Sequence, residues 1–270
     1  MKGIICYCSG SGNTKLSCQY IKGKVKNIEF DLFNIITDGI PSLEKYDLAG
    51  FATFTNFLGI PYIVQMFIEK LPQQSNKPAF VFNTYGLISG KTLKILDKTV
   101  TAKGFKVIAG HSLHTPESYP PMIARGRGNE QAPNENEINN FNKFISELDY
   151  LVYCLENRNE LQIKKIRVGL LNSLMPAYSF TKAREDMGEK YVDESLCTGC
   201  GLCEKLCPYK AIKCSPKPIF NMSKCFGCWT CYNHCSAKAI YTAKFRNAGH
   251  YPQPIDQLKE KLNLNSADFK

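Results

Sequence analysis

The sequence predicts an α/β protein, with a doubly wound parallel sheet followed by a small α+β domain rich in cysteine. Two observations support this prediction. Residues 1–157 alternate short apolar segments with helix-like segments, which is typical of a parallel sheet with helices on both faces. The later part of the chain concentrates nine of the 13 cysteines between Cys197 and Cys235. A sheet domain and a separate cysteine-rich domain are therefore expected.

Five apolar segments are the predicted strands, at residues 3–7, 28–32, 48–53, 79–83 and 106–110. Helix-like segments separate them, at residues 13–25, 64–70 and 89–103. The link at 33–47 is short for a full helix, and the polar segment 124–137 reads as an exposed loop. The clearest helix has apolar residues spaced i, i+3, i+4 and i+7, namely Ile138, Phe141, Phe144, Ile145, Leu148, Leu151, Val152 and Leu155.

Composition divides the chain into four predicted parts. Residues 1–157 form the sheet domain, 158–187 a basic helical connector, 188–245 the cysteine-rich domain and 246–270 a tail. In the tail, Pro254 stands at a predicted helix start. The connector contains a group of apolar residues that is expected to pack between the two domains, Leu170, Leu171, Leu174 and Met175.

The chain has neither a recognisable signal peptide nor an apolar run of 18 residues, so we expect a cytoplasmic protein without a membrane segment. Cysteines in that compartment argue against a disulfide framework. The net charge of +10 is compatible with an acidic partner, and anionic cofactors would offset part of it. Basic residues are not interleaved with aromatic residues in a stripe, which disfavours a nucleic-acid partner.

The cysteines form an internal repeat. The spacing C-x2-C-x2-C-x3-C occurs twice, shifted by 28 residues, and Lys210-Ala211-Ile212 aligns with Lys238-Ala239-Ile240 at the same shift. This spacing is that of bacterial proteins with two [4Fe–4S] clusters. The first run is Cys197, Cys200, Cys203 and Cys207, and the second is Cys225, Cys228, Cys231 and Cys235.

In this pattern, three cysteines of one loop reach three corners of a cluster, while the fourth ligates the other cluster. One cluster is therefore predicted on Cys197, Cys200, Cys203 and Cys235, and the other on Cys225, Cys228, Cys231 and Cys207. Zinc is the alternative, but structural zinc sites usually divide their ligands into two pairs separated by a long loop. Cys214 falls outside the repeat and is expected to be a free thiol.

The first predicted strand is followed by the loop SGSGNT, residues 9–14. A glycine-rich turn at a helix N-terminus directs backbone N–H groups at an anion, and the hydroxyls of Ser9, Ser11 and Thr14 add donors. The loop lacks the GxxxxGK[ST] and GxGxxG patterns of nucleotide loops. Two more loops, at 53–61 and 83–86, follow the third and fourth strands, where ligands of open α/β sheets bind.

These motifs resemble known ones. Residues 188–245 resemble the bacterial two-[4Fe–4S] ferredoxin domain, and SGSGNT resembles the flavodoxin phosphate loop [ST]-x-[ST]-G-x-[ST]. Together with Tyr46-Asp47-Leu48, NTYG and TPESYPP (115–121), they make the chain similar to the flavodoxin–ferredoxin fusions of anaerobic bacteria, the ferrodoxins, over about residues 1–245. The resemblance implies a flavodoxin-like five-stranded sheet in the order 2-1-3-4-5, with FMN and two [4Fe–4S] clusters as cofactors.

The resemblance also implies a set of FMN-binding residues. Phe57 or Tyr85 would stack on the flavin ring, whereas Leu58 stands where family members often carry a large aromatic residue. The full set is Ser9, Ser11, Gly12, Asn13, Thr14, Thr53, Phe54, Thr55, Asn56, Phe57, Leu58, Asn83, Thr84, Tyr85 and Gly86. His111 and His114 lack neighbouring ligands for a metal, and His114 is a candidate polar or proton-donating residue of the flavin pocket.

The leading hypothesis is an electron-transfer iron–sulfur flavoprotein. It would pass electrons between two [4Fe–4S] clusters, FMN and an external redox protein or small-molecule acceptor. The alternative is an FMN-dependent reductase of a small molecule, which needs a substrate-sized pocket and a proton donor such as His114 or Tyr119. A redox sensor with clusters but no flavin is a third hypothesis. A homodimer remains open, and no Ser/His/Asp or Cys/His constellation supports hydrolysis.

Overall fold

The computed structural model describes residues 1–160, 163, 166, 169–176 and 178–263. The remaining residues, which belong to the predicted connector and to the end of the predicted tail, lie outside this description. None of the described helices is long and apolar enough to cross a membrane.

The first domain is built on one five-stranded parallel sheet. Its order is β2-β1-β3-β4-β5, as predicted. The central strands are buried on both faces, which explains why they read as continuous apolar runs. The strands are β1 (Lys2–Tyr7), β2 (Glu29–Asn34), β3 (Leu48–Phe54), β4 (Lys77–Tyr85) and β5 (Phe105–His114).

Helices cover both faces of this sheet. On one face, Leu16 and Phe141 pack with Ile5 of β1, while Val64 and Leu96 pack on the other. The long helix buries the predicted apolar stripe and begins with a capping box between Asn134 and Glu137. The helices are α1 (Asn13–Lys24), α2 (Tyr62–Lys70), α3 (Thr92–Ala102), α4 (Pro120–Ile123) and α5 (Glu135–Glu156).

Several observed boundaries differ from the predicted ones. Helix α3 begins at Thr92 rather than at residue 89, because Ser89 and Gly90 close a turn against the loop after β3. Residues 35–47 contain no helix, in agreement with the short link. The polar segment 124–137 is irregular only to Asn134, since the capping box already starts α5 there.

The connector contains two short helices, α6 (Leu170–Leu174) and α7 (Lys182–Met187). The leucines of α6 do not pack between the domains, so that expectation is wrong. Leu170, Leu171 and Leu174 are 76%, 78% and 74% exposed. Helix α6 instead contacts the sheet domain through its polar face, where Gly90 N donates to Asn172 Oδ1 at 3.2 Å.

The cysteine-rich domain repeats its backbone as well as its sequence. Strand β6 (Lys190–Val192) pairs with β9 (Ile240–Thr242), and β7 (Ile212–Cys214) pairs with β8 (Pro218–Phe220), both antiparallel. Each cysteine run contains one short helix, α8 (Leu202–Leu206) or α9 (Thr230–Asn233). Lys210 and Lys238, which are equivalent in the repeat, both have a φ of 50°.

The tail folds back onto the sheet domain. Helix α10 (Asp256–Lys261) begins two residues after Pro254, which therefore precedes the helix rather than opening it. Leu258 and Leu262 are buried in the core beneath α1 and α5. Residues 264–270 of the predicted tail lie outside the described part of the chain.

Candidate functional site

A polar cleft lies where the carboxyl ends of β1, β3 and β4 meet. The loop at residues 9–14 is closed by Ser9 Oγ, which accepts from Gly12 N at 3.1 Å and Lys15 N at 3.3 Å. Ser11 and Thr14 are buried, and Thr14 Oγ1 lies 2.8 Å from Thr84 Oγ1. This bond joins the glycine-rich loop to the end of β4.

The cleft brings most of the predicted flavin residues together. Its walls include no lysine or arginine, and helix α1 has no acidic residue in its first turn. The N-terminus of α1 thus presents a positive dipole end to this region. The cleft is lined by Ser9, Gly10, Ser11, Asn13, Thr14, Phe54, Thr55, Thr84, Tyr85, Gly86, Thr115, Pro116, Glu117, Ser118, Cys228 and Asn233.

Three predicted residues line neither this cleft nor the apolar cavity beside it. Thr53 and Asn83 are fully buried behind it, and the Asn83 amide donates to Thr55 Oγ1 and Ser89 Oγ at 3.1 and 3.2 Å. Gly12 faces a larger cavity on the other side of the loop, beside Pro254. Thr53 and Asn83 therefore fix the loops that carry their neighbours.

An apolar cavity of about 250 Å³ adjoins the cleft and shares part of its wall with it. Phe57 forms one side, with its ring centroid 5.8 Å from that of Tyr119. Phe57 and Leu58 have φ of 46° and 63°, which are uncommon for bulky residues and indicate a tightly constrained loop. The cavity is lined by Phe54, Thr55, Asn56, Phe57, Leu58, Gly86, Leu87, Ile88, Glu117, Ser118, Tyr119, Met122, Gly227, Cys228 and Trp229.

Trp229 is the clearest residue that the sequence reasoning missed. It is the only tryptophan of the chain, and the internal repeat aligns it with Gly201. Both positions are left-handed, with φ of 60° for Trp229 and 70° for Gly201. A glycine adopts that conformation at no cost, while a tryptophan does not. The difference between Gly201 in the first repeat and Trp229 in the second was visible in the sequence. Its consequence in the structure is that an indole ring lines the cavity.

Glu117 is a second residue that was missed. Its carboxyl lies in the walls of both the cleft and the cavity, and Oε1 accepts from Ser118 N at 2.8 Å and Tyr119 N at 3.0 Å. Burial raises the pKa of Glu117. Glu117 belongs to the TPESYPP segment at residues 115–121, but no feature of the neighbouring sequence indicated that its side chain would line the site.

The rings of Tyr85, His111 and His114 are held by packing and hydrogen bonds within the sheet domain. Tyr85 lines the cleft but stacks on His114, with centroids 5.1 Å apart. His114 Nε2 donates to Gly86 O at 2.7 Å and Nδ1 lies 2.9 Å from Glu137 Oε1, so both ring nitrogens are engaged behind the pocket. His111 packs between Phe141 and Phe144, and burial lowers its pKa to about 4.

Tyr119, by contrast, does line the cavity. Its hydroxyl donates to Asp186 Oδ2 of helix α7, and burial together with that carboxylate raises its pKa far above the ordinary value. The residue therefore connects the cavity wall to the end of the connector. Its proton is held by a carboxylate rather than directed at the cavity.

Cysteines of both runs lie around one small cavity. It is lined by Cys197, Cys200 and Cys203 of the first run and by Cys231 and Cys235 of the second. Cys214 also lines it, with Sγ 3.7 Å from Cys203 Sγ, so this thiol lies beside the predicted ligands rather than away from them. No group of three or more His, Cys, Asp or Glu side chains within the described part of the chain forms a single-ion site.

The second set of cysteines lies between this cavity and the sheet. Cys225 and Cys231 are buried, and burial raises the pKa of the Cys228 thiol to about 11. Lys190 Nζ donates to Cys231 Sγ at 3.3 Å. Burial lowers the pKa of Lys190, but the sulfurs of Cys231, Cys225 and Cys228 raise it more, so the net shift is upward.

Comparison with known protein families assigns the first half of the cysteine-rich part. A model of the 4Fe–4S binding domain matches residues 190–213, which contain the whole first run. The sheet has the strand order 2-1-3-4-5 that defines the flavodoxin-like fold. The chain joins a flavodoxin-like domain to a 4Fe–4S ferredoxin-like domain. No curated protein matches its sequence significantly.

Solved structures similar to the chain include three flavodoxins. An archaeal flavodoxin is 17% identical, with 57% of this chain and 99% of that one covered and a TM-score of 0.43. Flavodoxin from Streptococcus pneumoniae TIGR4 is 17% identical, with 56% and 99% covered and a TM-score of 0.44. Two-electron reduced flavodoxin from Megasphaera elsdenii is 19% identical, with 54% and 99% covered and a TM-score of 0.38.

The glycine-rich loop depends on Gly12 for its shape. Gly12 has a φ of 98°, and a Cβ there would lie 2.6 Å from Pro254 Cδ. Replacing Gly12 with alanine should lower the free energy of unfolding by roughly 1–2 kcal/mol from the backbone alone, with more from the clash. Gly23→Ala is the matched control, because it lies in α1 with open space around it and should stabilise by about 0.5–1 kcal/mol. Denaturant unfolding of both variants measures this, and equal effects would contradict the tight contact with the tail.

Proposed function

We propose that the cleft and the adjoining cavity bind FMN. The phosphate would lie at the 9–14 loop, where Ser11 and Thr14 offer buried hydroxyls at the positive end of α1, whose first turn contains no acidic residue. The ring would enter the apolar cavity, with Phe57 and Trp229 in its walls. What supports this proposal is a polar cleft that leads directly into an apolar cavity at the carboxyl edge of the sheet.

We propose two [4Fe–4S] clusters in the second domain. The first would be held by Cys197, Cys200, Cys203 and Cys235, which line one cavity together with Cys214 and Cys231. The second would be held by Cys207, Cys225, Cys228 and Cys231, where the buried Lys190 supplies a compensating positive charge. When bound, the clusters exchange single electrons and FMN accepts one or two.

The function that the site supports best is electron transfer between the clusters and FMN within one chain. The observation that carries it is the position of Cys228, a predicted ligand of the second cluster that lines both the polar cleft and the apolar cavity. Trp229 and Gly227, its neighbours, line the same apolar cavity. The chain thus brings a cluster ligand and the flavin pocket together without an intervening protein layer.

The first cluster is the proposed point of contact with an external redox protein or small-molecule acceptor. Cys200 is exposed, whereas Cys225 and Cys231 are buried. A partner at the surface would therefore meet the first cluster before the second. The order along the chain of carriers would be partner, first cluster, second cluster and flavin.

Reduction of a small-molecule substrate is the less favoured function. The cavity of about 250 Å³ lies below the roughly 300–1,000 Å³ typical of ligand pockets, so a flavin ring would leave little room for a substrate. Of the two predicted proton donors, His114 is engaged behind the pocket and the Tyr119 hydroxyl is bonded to Asp186. Glu117 is the carboxyl that such a reaction would use.

The phosphate loop is tested by the double substitution Ser11→Ala with Thr14→Ala. Charge-assisted hydrogen bonds contribute about 1.5–3 kcal/mol each, so the FMN Kd should rise on the order of a hundredfold or more. Fluorescence titration of the flavin measures it. Ser146→Ala on α5, whose hydroxyl donates to Asn142 O far from the cleft, is the control and should leave the Kd unchanged. An unchanged Kd in the double variant would place the flavin elsewhere.

The crossed ligands are tested by pairs of alanine substitutions. Cys207→Ala should damage the same cluster as Cys225→Ala, and Cys235→Ala the same cluster as Cys197→Ala. Iron and acid-labile sulfide should each fall from about eight per chain towards four, and electron paramagnetic resonance identifies the remaining cluster. Cys214→Ser is the control beside the first cavity and should retain all the iron. Matching spectra for Cys207→Ala and Cys197→Ala would instead mean uncrossed runs.

Internal electron transfer is tested by rapid mixing with a low-potential one-electron donor. The clusters should be reduced before the flavin, and the flavin rate should not change when the protein is diluted, because both carriers are on one chain. Mixing the Ser11→Ala, Thr14→Ala variant, stripped of its weakly bound flavin, with the Cys225→Ala variant puts the second cluster and the flavin on different chains and should make the rate proportional to concentration. If flavin in the Cys225→Ala variant is reduced as fast as in the intact protein, the clusters do not supply it.

A further inference from the structure

Lys190 is a buried lysine whose ammonium group faces sulfur. It begins strand β6, is 8% exposed, and its Nζ donates to Cys231 Sγ at 3.3 Å. The same nitrogen lies 5.7 Å from the centroid of the Phe220 ring. Around it are the apolar side chains of the second domain's core, Met187, Ile212, Trp229 and Ile240.

A buried ammonium group is costly unless an anion compensates it. Among the described residues, no carboxylate lies within 4.0 Å of Lys190 Nζ. The available counter-charge is therefore cysteine sulfur, since the Nζ of Lys190 lies 3.3 Å from Cys231 Sγ. The positive charge of Lys190 is therefore suited to balance the negative charge of a cysteine sulfur site.

The internal repeat shows that this charge belongs to only one of the two sites. Lys190 precedes Cys197 by seven residues, and the residue seven before Cys225 is Pro218. Pro218 lines the cavity of the first set of cysteines, while Lys190 contacts the second set, so the two positions are equivalent in the fold. The neighbouring Lys217 donates to the backbone carbonyls of Glu194 and Cys197 rather than to sulfur.

We propose that Lys190 raises the reduction potential of the second cluster above that of the first, so that electrons entering the chain collect beside the flavin cavity. A fixed positive charge in a low-dielectric site stabilises the reduced cluster, which carries one more negative charge than the oxidised one. Pro218 provides no such charge at the first cluster. The inference rests on the proposed function for the presence of the two clusters and deepens it by giving electron flow a direction.

The test is a potentiometric titration of the intact protein followed by electron paramagnetic resonance. Lys190→Met removes the charge and keeps the length of the side chain. At a fixed ambient potential near the midpoint, the ratio of reduced to oxidised second cluster should fall about tenfold, which is about 59 mV for a one-electron couple. The first cluster should not shift. Lys190→Arg, which keeps the charge, should restore most of the ratio.

Lys213→Met serves as the control, because Lys213 is an exposed lysine of the same domain and its charge is screened by water. It should shift neither cluster. Equal midpoints in Lys190→Met and the wild type, with all the iron retained, would overturn the proposal. So would the loss of half the iron from both Lys190→Met and Lys190→Gln, because Lys190 would then be required to hold the cluster rather than to tune it.

The titration also separates this inference from the proposed function. A wild-type protein with fewer than eight irons per chain would contradict the two-cluster proposal itself. Two clusters with distinct potentials and the expected Lys190→Met shift, but no bound flavin, would support the role of Lys190 and contradict the flavin relay.

Discussion

The contact between the second cysteine loop and the carboxyl edge of the sheet determines the rest of the site. From this loop, Asn233 Nδ2 donates to Ser118 O at 3.0 Å and His234 Nε2 donates to Gly10 O at 2.9 Å. From the tail that follows it, Tyr251 Oη donates to Asn13 Oδ1 at 3.0 Å. Because these bonds end on the loops that form the cleft, the cysteine domain becomes a wall of the pocket. Without this contact, Cys228 and Trp229 would face water and the cavity would be an open edge of the sheet.

Aromatic packing completes the same contact. Phe226, which lies between two predicted cluster ligands, packs on Tyr62 of α2 at a centroid distance of 4.7 Å, and Trp229 meets Tyr119 at 5.9 Å. Large rings bury much area with few torsional degrees of freedom, so they hold two domains at a fixed distance. The exposed leucines of α6 have no part in this, and the connector reaches the site instead through Asp186 and its bond to Tyr119.

The two halves of the cysteine domain differ at two equivalent pairs of positions that lie close to the cysteines. Gly201 and Trp229 share a left-handed backbone, yet only the second half carries a bulky side chain there. Pro218 and Lys190 occupy equivalent places, yet only Lys190 brings a charge to the sulfurs. Under the proposed function, a symmetric repeat would hold two equal clusters with no preferred direction of electron flow. Trp229 and Lys190 both lie beside the second set of cysteines, where an electron bound for the flavin would arrive.

Local patterns in the sequence determined the strands, the glycine-rich loop and the cysteine repeat. They did so because an apolar period, a turn motif and a ligand spacing each act over a few residues. The order of the strands followed from the resemblance to the flavodoxin–ferredoxin fusions. The burial of Thr53 and Asn83, the engagement of His114 and the placement of Glu117 and Trp229 in the pocket were decided only by tertiary structure. These features join residues far apart in the chain, such as Gly10 and His234, and such contacts leave no period or spacing in the sequence. The prediction that the α6 leucines pack between the domains was wrong for the same reason. A group of apolar residues shows that burial would be favourable, but it does not show which surface of the protein would cover the group.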